Sequence, residues 1–257
     1  MSGFTINEQR EMNKHATATF AMDHWNSFDS SADAIIKKLE IEKKVNADSY
    51  NTLTDLYKND RDKWNLIADE AGMSYSELEN QNNQNLISVI YKEDEILAFL
   101  EMKIIYAYKF LEINIRRLLK SVYLLNSPEG FHKWENIKDF LKSKNIPISE
   151  IKSYREIEEL RLLNNCLKHS SELNNLKTKI SEFSNEKQIN YMSLKKFYDR
   201  IKKSPAIFLD SLASALYNEQ YEFDDEKLKV IAHSFALRMN KETAERFKTF
   251  LIKSYDL

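Results

Sequence analysis

The sequence has few residues that make turns and lacks the long apolar runs that cross membranes. Only 3 Gly and 3 Pro occur in 257 residues, too few to supply the turns of an all-β or α/β fold. No apolar run reaches the roughly 18 residues of a membrane span. The first residues, Met1 to Arg10, also lack the apolar core of a signal peptide. We therefore expect an all-α protein with long helices and no membrane contact.

The sequence also has little cysteine and a small net charge. Cys166 is the only cysteine, which excludes an internal disulfide and is typical of a reducing cytoplasm, where we expect this protein. The five His are scattered without the spacing of metal ligands, so we expect neither a metal ion nor another cofactor. The net charge is only -2, and binding to RNA would therefore need a local basic patch.

Apolar residues at spacings of three and four predict several helices. The strongest pattern covers 94–125, and another helix with a break at Ser204-Pro205 covers 191–217. Asp29 to Ser31 have the composition of a helix cap. The polar segment 79–85 resembles a loop or the start of a helix.

These patterns divide the chain into three predicted parts. Residues 1–80 form an N-terminal helical appendage, and residues 81–220 form the main helical bundle. Residues 221–257 form a C-terminal helical extension. The polar segment at 79–85 sets the first of these boundaries.

A polar column on the predicted helix 153–170 is the strongest functional signal. Arg161, Asn165 and His169 are four residues apart, so they project from one face, one turn after another. Leu residues at spacings of three and four place the opposite face in a core. A guanidinium, an amide and an imidazole in one column can hold a phosphate beside a nitrogen that titrates near neutral pH.

The same residues resemble the HEPN superfamily. The resemblance covers roughly 94–217 and rests on Tyr106, Phe110 and Glu112, then on Tyr154-x-x-Ile157-x-x-Leu160-Arg161 followed by Asn165-x-x-Lys168-His169. HEPN domains are helical bundles, often dimeric, and many are metal-independent ribonucleases of bacterial toxin–antitoxin and antiphage systems. The usual motif is Arg, a polar residue, three further residues and His. His169 and Asn165 match it, but position 164 is Asn instead of Arg.

The resemblance implies a role for each residue of the column. His169 would be the general acid/base, Arg161 the phosphate clamp and Asn165 a hydrogen-bonding group that orients the RNA. Asn164 would assist, and Lys168 would supply a second cation. The implied partners are RNA, a second copy of the chain, and an antitoxin or another defence-system protein.

Each assignment has a structural alternative. His169 can cap carbonyls at the end of its helix or interact with the helix dipole. Arg161 can form an ion pair with Glu158 on its own helix, or with Glu112 from the neighbouring helix. Cys166 fits core packing better than catalysis, since a catalytic thiol needs a nearby His.

A second cluster of cations follows on the helix that begins near residue 191. The cluster consists of Lys195, Lys196, Arg200 and Lys203, interleaved with Phe197 and Tyr198. Such a face can track an RNA backbone, although a solvated helix surface gives the same pattern.

Three hypotheses follow from the sequence. The chain is a HEPN-type endoribonuclease, or a catalytically inactive HEPN-like protein that dimerises or binds RNA or a partner. The third is an unrelated helical adaptor whose N-terminal segment binds a partner.

Overall fold

The computed structural model describes residues 5–20, 25–123, 131, 133–169 and 174–255. These residues form eleven α-helices and two short 3₁₀ helices, with no β-strand among them, so the all-α prediction is confirmed. The helices are α1 (Ile6–Ala18), α2 (Trp25–Asn59), α3 (Arg61–Ala71), α4 (Tyr75–Tyr123), α5 (Trp134–Ser143), α6 (Tyr154–His169), α7 (Asn174–Lys177), α8 (Tyr191–Ile201), α9 (Ser204–Tyr221), α10 (Asp225–Ala236) and α11 (Lys241–Lys253).

Side-chain caps begin several of these helices in a chain with so little glycine and proline. The side chains of Asp60, Asn190, Asp224 and Asn240 each accept a hydrogen bond from a backbone N–H in the first turn of the following helix. Gly72 ends α3 with a φ of 66°, a left-handed conformation in which glycine carries no Cβ penalty. Short polar residues thus mark the helix starts.

Two helices begin earlier than the sequence patterns predict. The polar segment 79–85 is helical rather than a loop, because α4 begins at Tyr75, and the predicted boundary near residue 80 lies inside this helix. Asn82 is buried and donates to Thr54 Oγ1 on α2 at 3.0 Å, so a tertiary contact stabilises this polar turn. The predicted cap at Asp29 to Ser31 was wrong, since α2 begins at Trp25.

Other predicted elements are confirmed. The 191–217 pattern is two helices, since α8 ends at Ile201 and α9 begins at Ser204, so the predicted break at Ser204-Pro205 is confirmed. The C-terminal part is two helices, α10 and α11. The residues predicted to end the long helix, Asn126, Pro128 and Gly130, lie outside the described residues.

The chain divides into two compact units. The first comprises Met1–Met22, Leu111–Ile157 and Ser204–Leu257, and the second comprises Asp23–Phe110 and Glu158–Lys203.

In the second unit, α2 lies antiparallel to the part of α4 that belongs to this unit. Lys43 pairs with Glu93 at 3.1 Å, and Lys103 pairs with Asp33 at 2.5 Å. From the first pair to the second, the residue number falls along α2 and rises along α4, so the two helices run in opposite directions. On α8, Tyr198 hydrogen-bonds Asp29 of α2, and Lys195 pairs with Glu40 of α2. By the same criterion α8 is also antiparallel to α2.

The first unit contains buried apolar residues of α5 and α9. Trp134 of α5 packs near Phe208 of α9, with ring centroids 6.4 Å apart. Leu212 and Leu216 on α9 are fully buried. In contrast, α10 and α11 contain no buried residue. The C-terminal helices therefore contribute little to this core.

Candidate functional site

The helix that carries the polar column forms as its sequence predicts. It is α6, Tyr154–His169, and its apolar face is buried: Leu160 and Leu163 are fully buried, and Cys166 is 7% exposed. This burial fits the apolar spacing along the helix. Cys166 thus occupies the core position that the structural alternative assigns to it.

The three side chains of the polar column do not share one environment. Asn165 and His169 are exposed to solvent, whereas Arg161 is half-buried. Lys168, next to His169 in the last turn, is also exposed. The end of α6 therefore offers an amide, an ammonium and an imidazole to solvent, groups that hydrogen-bond phosphate and sugar oxygens.

Arg161 forms the ion pair with Glu158 that was one of its structural alternatives. Its Nε and Nη2 atoms lie 3.3 Å and 2.9 Å from Glu158 Oε2, and both side chains are mostly buried. Glu158 is one turn toward the start of α6, while His169 is eight residues toward its end, about 12 Å along the axis. The ion pair therefore directs the guanidinium away from His169.

Asn164, the residue at the position where the HEPN motif has Arg, is buried. Only 1% of it is exposed. Its Nδ2 lies 3.3 Å from Asn165 Oδ1, and its Oδ1 finds no hydrogen-bond partner among the described residues. A buried amide oxygen without a partner carries a desolvation cost. A substrate phosphate cannot reach this side chain in the described conformation.

Glu112 and Arg161 belong to different units of the chain. Glu112 is half-buried on α4 in the first unit, and its backbone carbonyl accepts a hydrogen bond from Arg116 Nε at 3.2 Å. Arg161 lies in the second unit. The supporting role of Glu112 stays a prediction.

Arg200, one of the predicted RNA-binding cations, is held by two carboxylates. It binds Glu182 at 2.6 Å and Glu159 at 2.7 Å, and these acidic side chains are only 11% and 7% exposed. The hydrogen bonds to Glu182 and Glu159 raise the pKa of Arg200 against the effect of burial. Burial alone would raise the pKa of Glu182, but the hydrogen bonds and charge of Arg200, together with hydrogen bonds from the backbone and Ser181, lower this pKa below its usual value. Arg200 therefore compensates two buried acids.

The other three cations of this cluster differ in their surroundings. Lys195 forms an ion pair with Glu40, whereas Lys196 and Lys203 are exposed. An RNA phosphate would compete with Glu40 for Lys195. The cluster therefore offers less positive charge to RNA than its sequence implies.

Sequence reasoning missed a buried ionic network around Lys103. This residue of α4 is 3% exposed, and its Nζ lies 3.0 Å from Asp29 and 2.5 Å from Asp33. It also lies 4.2 Å from the ring centroid of Tyr198, whose hydroxyl hydrogen-bonds Asp29. Burial, together with Asp29, raises the pKa of Tyr198. A lysine within the apolar run Met102-Lys103-Ile104 was the available signal.

Comparison with protein-family models, curated proteins and solved structures finds no match to this chain. The HEPN resemblance therefore rests on the residues quoted above. None of the helices within the described residues is long and apolar enough to cross a membrane. In the same part of the chain, no group of three or more His, Cys, Asp or Glu is arranged to hold a metal ion.

Proposed function

We propose that this chain is a HEPN-like helical protein that binds single-stranded RNA through the exposed end of α6 without cleaving it. The observation that supports this proposal is the separation of the polar column. Asn165 and His169 face solvent, while Arg161 is paired with Glu158 and Asn164 is buried. The groups that bind RNA are accessible, and the cation that would stabilise a cleavage transition state is engaged elsewhere.

The proposed binding is weak and has a small dependence on salt. The end of a helix carries partial negative charge, which opposes phosphate, and Lys168 offsets this charge. With one phosphate neutralised by Lys168, the slope of log affinity against log salt is about -0.7. This is far below the slope of proteins that neutralise many phosphates.

The test is binding of a short, fluorescein-labelled single-stranded RNA, measured by fluorescence anisotropy with excess chelator. We expect Lys168→Ala to weaken binding several-fold and to reduce the salt slope by about 0.7. Lys37→Ala is the matched control, since Lys37 is an exposed lysine on α2. Equal affinity of the two variants, or no binding by the wild type, would refute the proposal.

A metal-independent endoribonuclease is the second candidate, and the exposure of His169 favours it. A ribose 2′-hydroxyl would lose its proton to the imidazole and attack the adjacent phosphorus, and the bond from phosphorus to the 5′-oxygen of the next nucleotide would break. The leaving 5′-oxygen would take a proton from the imidazolium, which gives a 2′,3′-cyclic phosphate and a 5′-hydroxyl. The ion pair uses Nε and Nη2 of Arg161, and a guanidinium has further N–H donors on Nη1. In this candidate Arg161 contacts RNA bound to a second copy of the chain. A role in toxin–antitoxin or antiphage defence belongs to this candidate.

One gel decides between the two candidates. The RNA from the binding assay is run under denaturing conditions after incubation with wild type, His169→Ala or Arg161→Ala. Intact RNA in every lane supports binding alone. Cleavage by the wild type that is lost in both variants, with their helical content retained, would establish the nuclease.

A further inference from the structure

A cavity of about 140 Å³ in the second unit is lined by residues of α2, α3 and the first turns of α4. Its lining includes Tyr50, Thr54 and Tyr57 of α2, Trp64 of α3, and Glu79 and Asn82 of α4. Tyr57 and Glu79 are exposed to solvent. In contrast, Trp64 is only 1% exposed and Asn82 only 8% exposed. Exposed side chains therefore form one end of the cavity, its rim, and buried side chains form the other.

Two buried polar atoms of these lining residues have no hydrogen-bond partner among the described residues. One is the indole Nε1 of Trp64, a group that can only donate. The other is Oδ1 of Asn82, an acceptor, although Nδ2 of the same amide donates to Thr54 Oγ1. Buried donors and acceptors are almost always paired, because an unpaired one carries a desolvation cost. An unpaired donor and an unpaired acceptor beside one cavity therefore indicate a bound molecule that offers the opposite pair.

The volume of the cavity decides between an ordered water and a larger molecule. A single water needs a cavity of about 10–15 Å³, whereas a cavity of about 150 Å³ holds a molecule the size of benzene. At about 140 Å³, this cavity has about ten times the minimum volume for one water. Its size therefore matches one six-membered ring.

Aromatic side chains form much of the wall. The rings of Tyr57 and Trp64 pack edge to face, with centroids 5.1 Å apart and an angle of 80° between the rings. The guanidinium of Arg61 lies 3.9 Å from the centroid of Tyr57, so a cation also holds this ring. Tyr50 adds a third ring. Aromatic walls held in place by packing favour a flat, rigid ligand over a flexible chain.

The charge and polarity of the lining favour a neutral ligand. The carboxylate of Glu79, at the exposed end of the cavity, repels phosphates and carboxylates and accepts hydrogen bonds from N–H groups. An ammonium ion has no acceptor, so it would leave the N–H of Trp64 unpaired. A neutral ring that contains both a donor and an acceptor satisfies both conditions.

We propose that this cavity binds a small neutral lactam heterocycle, a single ring in which an N–H group lies beside a carbonyl. The carbonyl oxygen accepts a hydrogen bond from Trp64 Nε1, and the ring N–H donates to Asn82 Oδ1. A pyrimidine base such as uracil has this chemistry. The cavity is lined by α2, α3 and α4, so the inference does not rest on RNA binding by α6.

The test is isothermal titration calorimetry of the full chain with uracil. We expect one uracil to bind per chain. The matched ligand is 1,3-dimethyluracil, which keeps the ring and both carbonyls but has no N–H group. It should bind about tenfold more weakly or worse, because Asn82 Oδ1 then meets no donor. Uridine 5′-monophosphate should also bind more weakly than uracil, since Glu79 repels its phosphate.

Two asparagines with an unpaired amide oxygen provide matched variants. Asn82 lines the cavity, whereas Asn65, whose Oδ1 also has no partner in the described part of the chain, lies outside the lining. Asn82→Leu replaces the amide by an apolar group of similar size, so it should keep the fold and weaken uracil binding about tenfold or more. Asn65→Leu should leave the affinity unchanged. Trp64→Phe keeps an aromatic wall without the N–H donor and should weaken binding as Asn82→Leu does, with circular dichroism as the check on folding.

Four results would overturn the inference. The first is no binding of uracil to the wild type, which would show that the cavity holds water only. The second is equal affinity for uracil and 1,3-dimethyluracil. The third is an Asn82→Leu variant that keeps its helical content and binds uracil as tightly as the wild type or as the Asn65→Leu variant does. The fourth is tighter binding of uridine 5′-monophosphate than of uracil, which would contradict a site for a neutral ligand.

Discussion

The ionic network around Lys103 predicts an unequal response of its members to substitution. Lys103→Ala leaves Asp29, only 19% exposed, facing a cavity without its cation, and removes the ammonium from the ring of Tyr198. Loss of one partner from a buried ion pair costs about 3–5 kcal/mol. Asp33 is 62% exposed, so Asp33→Ala should cost less than about 1 kcal/mol. The same lysine thus has one important partner and one minor partner.

Urea unfolding followed by circular dichroism measures these differences. Lys109→Ala is the control, because Lys109 is exposed on the same helix, and its cost should stay within about 0.5 kcal/mol. The double variant Lys103→Met with Asp29→Asn should lose less stability than the sum of the two single substitutions. Each single substitution leaves the other buried charge without this partner, whereas the double variant removes both charges. A cost of Lys103→Ala below about 1 kcal/mol, or equal costs for Lys103→Ala and Asp33→Ala, would refute the argument.

Two further predictions concern pH. Burial, with a contribution from Glu219, raises the pKa of Tyr123 to about 12 from 10.0, so its contribution to stability is complete below pH 10 and is lost as the pH rises toward 12. Because Tyr123 is half exposed, the free energy of unfolding should fall by at most about 1 kcal/mol between pH 9 and pH 11, and Tyr123→Phe should not show this fall. Urea unfolding at the two pH values measures it, and an equal fall in the wild type and the variant would contradict the prediction. Arg200→Ala leaves Glu182 unpaired and should cost about 1–3 kcal/mol at neutral pH, against under about 0.5 kcal/mol for Lys196→Ala. Since the pKa of Glu182 is lowered from 4.5, this stabilisation is present above pH 4.5 and disappears as the pH falls through the lowered value. Thermal unfolding from pH 7 to pH 3 tests this, and a cost that does not change with pH would exclude the assigned ion pair.

Helices with an apolar stripe were predictable from the sequence. α6 and the C-terminal part of α4 have regular spacings, and the break at Ser204-Pro205 combines a cap residue with a proline. The polar turn 79–85 was not predictable in the same way. Asn82 of this segment hydrogen-bonds Thr54, a residue distant in sequence, and local helix propensity contains no information about that contact.

The residues of the candidate site were predictable from the sequence, but the ion pair of Arg161 was not. The spacing of Arg161, Asn165 and His169 required a common helix. It did not determine whether Arg161 would bind Glu158 or Glu112, because both are acids within plausible reach of a long side chain. Arg161 bonds Glu158, which lies three residues earlier on the same helix, so this bond needs no contact with another helix.

The polar pairs between α2 and α4 also define how far one helix can slide along the other. A slip by one turn in one direction would bring Lys103 opposite Lys37 and place two like charges together. The same slip would move Glu93 from Lys43 toward Ala47, where no cation replaces it. Apolar stripes alone tolerate such a shift, since Leu and Ile pack adequately in several registers. The ion pairs of Lys43 and Lys103 therefore disfavour this slip, which apolar packing alone would not prevent.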